Sequence, residues 1–203
     1  MAEPVRRSTL ALAVLALLAE SPMHPYRMQQ LIRERGKDKV VNVGQRASLY
    51  KVIERLMASG LVVVRGTSRE QRYPERTVYE LTNLGRQVLL RWMREALAEP
   101  EHTYPEFPAV LSFLPLLSPE EAAAQLEARA ERLRRDVAQL EADLDSAPVA
   151  RLFLIEDEYR LAQLRSELSW VRALIGDLRS GKLTWTEEWV RAAAGGTSRS
   201  EGR

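Results

Sequence analysis

The sequence predicts a mainly α-helical chain of two modules. The first is an N-terminal set of short helices closed by a small β-hairpin, and the second a C-terminal pair of long antiparallel helices. Three observations predict it. Apolar residues recur at helical spacing, interrupted by turn residues, up to residue 60. Two β-branched runs then flank a polar stretch between residues 61 and 81. Two long leucine-periodic stretches fill most of 119–179. Period, turn chemistry and β-branching are the primary signals of element type. The chain has 203 residues, 45% apolar and 29% charged. That is an ordinary globular composition, enough for one domain with an appendage or two small ones.

Helix one is expected from Thr9 to about Glu20, with Ser8 or Thr9 as N-cap and Ser21-Pro22 as its stop. Pro25 suits the first position of helix two, where a missing N–H costs nothing. That helix runs from about Tyr26 to Arg35, with Gly36 after its end. Residues 37–44 form a loop in which Val40-Val41-Asn42-Val43 reads as a short strand. Helix three spans about Gln45 to Ser59, with Leu49, Val52, Ile53, Leu56 and Met57 on one apolar stripe. Arg46, Tyr50, Lys51 and Arg55 fall largely off it. A hairpin follows, Leu61 to Arg65 pairing with Arg76 to Leu81, and its arginines are Arg65, Arg69, Arg72 and Arg76. Thr82 caps helix four, about Asn83 to Leu97, with Leu84, Val88, Leu89 and Trp92 inward.

Helix, turn, basic-faced helix, hairpin, helix is the order of a winged helix-turn-helix. A helix 10–12 Å across fits a major groove about 12 Å wide. A basic hairpin tip suits the neighbouring backbone or minor groove.

The second half reads as a helical dimerisation domain. Pro100, Pro105 and Pro108 mark residues 98–118 as a linker. Ser118-Pro119-Glu120-Glu121 is a capping box opening a helix to about Asp145. Pro148 breaks it, and a further helix is expected from about Val149 to Arg179. Leu154, Leu161, Leu168 and Ile175 recur every seventh residue, with Leu164, Val171 and Leu178 at the complementary step. Such a seam needs a partner: the sibling helix, the winged module or another subunit. The reading here is a homodimer, in which charged residues at Leu161, Leu168 and Ile175 would cost dimerisation. The expected domains are 1–97, the linker 98–118, the helical domain 119–194 and a disordered Gly/Ser/Arg-rich tail 195–203.

Charge separates the halves. Residues 1–95 hold 17 Lys and Arg against 9 Asp and Glu, whereas 96–203 hold 13 against 19. A basic first half reads as a polyanion-binding surface. The chain has no cysteine and only His24 and His102. This composition excludes disulfide scaffolds, thiolate metal sites and cysteine nucleophiles, and leaves little for a histidine-based hydrolase or metal centre. No enzyme, metal or cofactor is expected.

The residues also carry a family resemblance. Gly44-Gln45-Arg46-Ala47-Ser48-Leu49-Tyr50-Lys51-Val52-Ile53-Glu54-Arg55-Leu56, with Ser59-Gly60-Leu61, resembles the recognition-helix signature of the PadR family of transcriptional regulators. Tyr26 matches that family's Gly-Tyr, with Pro25 in place of the glycine. Arg76 to Gly85 is similar to its Tyr-x-Leu-Thr-x-x-Gly pattern. Glu106-Phe107 followed by Leu117 to Glu121 resembles the longer subgroup with a helical C-terminal domain. The resemblance covers roughly residues 5 to 97 and implies a homodimeric repressor released by a small molecule; the absence of cysteine fits a cytoplasmic location.

The expected DNA contacts are Gln45, Arg46, Ser48, Tyr50, Lys51 and Arg55 on helix three, Tyr26, Arg27 and Gln30 on helix two, and Arg69, Arg72 and Arg76 on the hairpin. A twofold dimer suits a palindromic operator on double-stranded DNA. Trp92, Trp170, Trp185 and Trp189 are the candidates for binding an aromatic effector, and Trp185 and Trp189, four apart, could share a helix face. Two other readings stay open at this stage. One is an adaptor whose basic half meets an anionic protein or membrane surface. The other is an exported protein, with Arg6-Arg7 and the apolar run Thr9 to Ala19 as its signal.

Overall fold

The structure, a computed structural model, describes residues 6–44, 46–68, 76–100 and 103–196. The chain divides into two units, Met1–His102 and Thr103–Arg203.

The first unit is built around α1 (Thr9–Glu20), capped by the Ser8 hydroxyl, which accepts from the Ala11 N–H at 3.2 Å. Six of its twelve residues are buried, on several sides of the helix. A helix apolar most of the way round belongs at the centre of a core. The run that could pass for an export signal is thus the unit's central helix. It touches α3 (Arg46–Ala58), β2 (Arg76–Leu81) and α4 (Asn83–Ala98). Between them, α2 (Pro25–Glu34) adds Met28 and Ile32 to the core. The stripe expected on α3 is the buried face: Leu49, Val52, Ile53 and Leu56 are closed off from solvent. Gly60, at φ +70°, turns the chain out of α3.

β1 (Val62–Ser68) pairs antiparallel with β2, Val62 opposite Leu81, with a register shift between Val64 and Gly66. The α1–α2 turn joins this hairpin through paired backbone hydrogen bonds between Met23 and Tyr79, at 3.1 and 3.0 Å. The wing is therefore tied to the helix-turn-helix at its base. Residues 40–43 form no strand. A 3-10 turn over Lys37–Lys39 directs the Val40 and Val41 N–H groups back to the Lys37 carbonyl, and Val43 plugs the core instead. Leu84, expected inward, is exposed. The inward face of α4 is Gly85, Leu89 and Trp92, with Val88 beside it.

In the second unit, α6 (Pro119–Ser146) and α7 (Ile155–Arg179) form an antiparallel hairpin, shown by the ion pairs Glu127–Arg179 at 2.8 Å and Glu141–Arg165 at 2.7 Å. The capping box forms as expected: the Glu121 N–H donates to the Ser118 hydroxyl, and the Ser118 N–H to the Glu121 carboxylate. Those bonds hold the Glu121 carboxyl below the usual carboxylate range. Ser118→Ala is expected to lower the unit's stability by about 1 kcal/mol, measured as a lower denaturation midpoint.

Three expectations change in this unit. The stretch 98–118 is not all linker: α5 (Glu106–Ser112) and a 3-10 turn at Leu114–Leu116 lie in it, and Phe107 and Leu114 pack on the helical core. α7 starts at Ile155 rather than Val149, because Ala150 is extended and Arg151–Phe153 form a 3-10 turn. Gly195 and Gly196 end α8 (Glu187–Gly196), while the rest of the tail lies outside the described residues.

Candidate nucleic-acid interface

With its apolar stripe buried, α3 presents Ala47, Tyr50, Lys51, Glu54, Arg55 and Ala58 to solvent. This follows from the 3.6-residue period: the six residues lie on the arc away from Leu49, Val52, Ile53 and Leu56. Lys51 and Arg55 share one side of that arc. Together with Ser8, Thr9, Asn42 and Ser48 they line a concavity of about 650 Å³ between α3 and the start of α1. Among the described residues no carboxylate lines it. The Arg55 Nε donates to the Lys51 carbonyl, at 3.3 Å, and among the described residues no carboxylate is paired with Lys51 or Arg55. The N-terminus of α1 adds its partial positive charge on the same side. Cations and a helix N-terminus around one concave surface suit phosphate oxygens.

The other side of the arc faces the wing. Burial raises the Tyr79 phenol pKa, and Tyr50 and Glu54 lie close enough to add to the shift. Tyr50 is half exposed, as a residue offered to a ligand must be.

The other expected contacts are placed unevenly. Ser48 is half-buried at the rim of the concavity. Tyr26 is exposed at the start of α2, its ring stacked on His24 at 6.1 Å. Arg27 and Gln30 turn along α2 to the same partner, Glu34, at 3.1 and 2.7 Å. That pairing weakens Arg27's attraction for a phosphate, since Glu34 offsets its positive charge. Gln45, Arg69 and Arg72 lie outside the described residues, and of Arg46 and Arg76 only the backbone is described. Arg65, also on the hairpin, pairs with Glu80 at 3.7 Å.

Glu54 escapes a reading guided by positive charge. Helical spacing alone places it on the exposed face, and that is the signal by which it could have been found.

The tryptophans do not form one site. Trp92 is buried in the first unit's core. Trp185 precedes α8 and donates its indole N–H to the Leu117 carbonyl at 2.9 Å, so it shares no helix face with the exposed Trp189. Trp170 borders a shallow groove of about 580 Å³ between α5 and α7. Phe107 meets it edge-on at 6.2 Å, and Phe107 in turn carries the Arg129 guanidinium over its face at 3.6 Å. Arg129 is paired with Glu167 at 2.6 Å. Among the described residues there is no cluster of three or more metal-ligating side chains.

The heptad residues are already used within the chain. Leu168, Val171 and Leu178 are buried in one cluster with Ala122, Leu126 and Leu133 of α6, and Leu164 and Ile175 pack against it. Leu161 is buried too, and Leu154 is half-buried ahead of α7. Their seam partner is the sibling helix, so a charge placed there would disrupt the hairpin itself.

Comparison with known proteins agrees with this geometry. Residues 14–91 match the transcriptional regulator PadR-like family. Bacillus subtilis PadR in complex with operator DNA is 20% identical, with a TM-score of 0.66 over 84% of this chain and 99% of that one. The same protein in complex with p-coumaric acid is 18% identical, with a TM-score of 0.67 over 85% and 99%. The PadR-like regulator of Bacillus cereus is 14% identical, with a TM-score of 0.60 over 85% and 99%. No curated protein matches the sequence. The solved structures share the fold along most of the chain, and over residues 14–91 this chain carries the PadR-like domain of that transcriptional-regulator family.

Proposed function

We propose that this protein is a sequence-specific DNA-binding transcriptional regulator, a cytoplasmic repressor that works as a homodimer on a palindromic operator and is released by a small aromatic effector. The observation that carries the DNA reading is the concavity formed by Lys51, Arg55 and the start of α1, without a carboxylate among the described residues, beside the exposed face of a helix in the recognition position. The PadR complex with operator DNA, on the same fold, supports it. Titration of a randomised duplex pool at several salt concentrations tests it. Log affinity is expected to fall linearly with log salt, by about 0.9 per phosphate neutralised. No duplex binding at any salt concentration would instead favour docking on an anionic protein or membrane surface. No catalytic step belongs to this reading, and no helix among the described residues is long and apolar enough to cross a membrane.

A second copy needs a surface other than the heptad seam. Val149, Leu152, Phe153 and Ile155, all exposed around the α6–α7 turn, support one there. Patches of this kind commonly mark association sites. Two recognition helices related by a twofold axis would suit half-sites about 34–36 Å apart.

For the effector, the groove beside Trp170 is the favoured site, because it joins an indole and the Phe107 ring to a cavity. p-Coumaric acid, the ligand of the B. subtilis protein, is the natural probe. Saturable quenching of tryptophan fluorescence is expected in the native protein and is expected to be lost in Trp170→Ala. Equal quenching in both would place the ligand elsewhere.

A further inference from the structure

We propose that Glu54 is a specificity-determining residue, selecting cytosine in each half-site by accepting a hydrogen bond from the base's exocyclic amino group. This rests on the reading of α3 as the helix that enters the major groove. The buried stripe of Leu49, Val52, Ile53 and Leu56 fixes how α3 is turned. At 100° per residue, the line opposite that stripe runs through Ala47, Glu54 and Ala58. Tyr50 and Lys51 stand one turn before Glu54, to either side of it, and all five residues are exposed. A duplex that meets Lys51 therefore meets Glu54 as well.

Ala47 and Ala58 are short, so the helix can come close to a groove floor along this line. Glu54 is the one side chain of the three that can extend from it. A carboxylate facing phosphates is repelled, unless a cation of its own chain or a donor on the DNA offsets the charge. Among the described residues no Lys or Arg is paired with Glu54; Arg55, its neighbour, is turned back to the Lys51 carbonyl. In the major groove the donors are the amino groups of cytosine and adenine. Adenine places the N7 lone pair beside its amino group, which repels a carboxylate. Cytosine has no acceptor of its own at that edge, so it is the preferred partner.

The test is selection from a random duplex pool with the full chain and two variants. The native protein should select cytosine at one fixed position per half-site, over the other bases by roughly tenfold or more. Glu54→Gln should move that preference to adenine, which a glutamine amide matches with two hydrogen bonds. Glu54→Ala should erase the preference at that position alone, and should bind non-specific duplex at least as tightly, because a repelling charge is gone. Unchanged melting curves would show both variants folded, as an exposed position leads one to expect. If Glu54→Ala selects the same sequence as the native protein, the proposal is overturned and the DNA-binding reading stands. If the native protein binds no duplex, both fall.

Discussion

Lys51→Ala combined with Arg55→Ala is expected to weaken duplex binding about 100-fold at moderate salt. Charge-assisted hydrogen bonds are worth about 1.5–3 kcal/mol each, and solvent screening puts these two near the lower end. Two losses of about 1.4 kcal/mol make that factor. Both side chains line the concavity beside α1 and neither belongs to the buried core, so the melting temperature should stay put. The loss should be uniform across sequences, and the slope of log affinity against log salt should shrink by about two units. A double variant with the native slope would remove this concavity from the interface. Charge alone separates it from Glu54→Ala, which changes which sequence is bound more than how tightly.

Gly85→Ala should destabilise the first unit by about 3 kcal/mol, read as a lower urea midpoint at unchanged slope. A Cβ at Gly85 would stand 2.1 Å from the Leu61 carbonyl oxygen and 2.7 Å from the Leu81 side chain. The first of these neighbours is backbone and cannot rotate away. The Leu61 carbonyl also accepts the Thr82 N–H at 3.1 Å, and the Thr82 hydroxyl caps α4 through the Gly85 N–H at 2.9 Å. Relieving the clash thus separates α4 from the turn that leaves α3, and the wing strands leave from the same turn. Duplex affinity should fall with stability. A midpoint within about 0.5 kcal/mol of native would show that the contact yields freely, against this account.

The first unit was largely legible in the sequence because each of its elements carries a local signal. Ser8 and Thr82 cap where hydroxyls should, Pro25 opens α2, and Gly36 and Gly60 close α2 and α3 with positive φ. Leu49 to Leu56 announced the buried face of α3, and with it the exposed face opposite. The failures share a cause, which is partner choice. Residues 40–43 have strand composition, but a strand needs a neighbour; here the Val40 and Val41 N–H groups close a turn on Lys37 and Val43 is buried in the core. Leu161 to Leu178 carry a heptad period, which states that a seam exists without saying whose helix fills it, and α6 fills it. Leu84 shows the same limit inside one helix, since Gly85 brings the backbone so close that the inward arc turns by one residue. In the site, Lys51 and Arg55 were legible from charge. Their meeting with Ser8, Thr9 and Asn42 was not, because it depends on how α1 crosses α3. The tryptophans were counted together, but chain position had already assigned Trp92 to one unit and the other three to the second.

The central claim is that the outward face of α3 meets duplex DNA. The absence of cysteine gives it a direct test, because one introduced cysteine is a unique chemical handle. Ala47→Cys places a photocrosslinker on that face, and Ala124→Cys places it on the exposed side of α6 as the control. The account predicts that light joins DNA to the α3 label, at the same base position in every half-site, and leaves the α6 label unjoined. Crosslinking from α6 with none from α3 would contradict it.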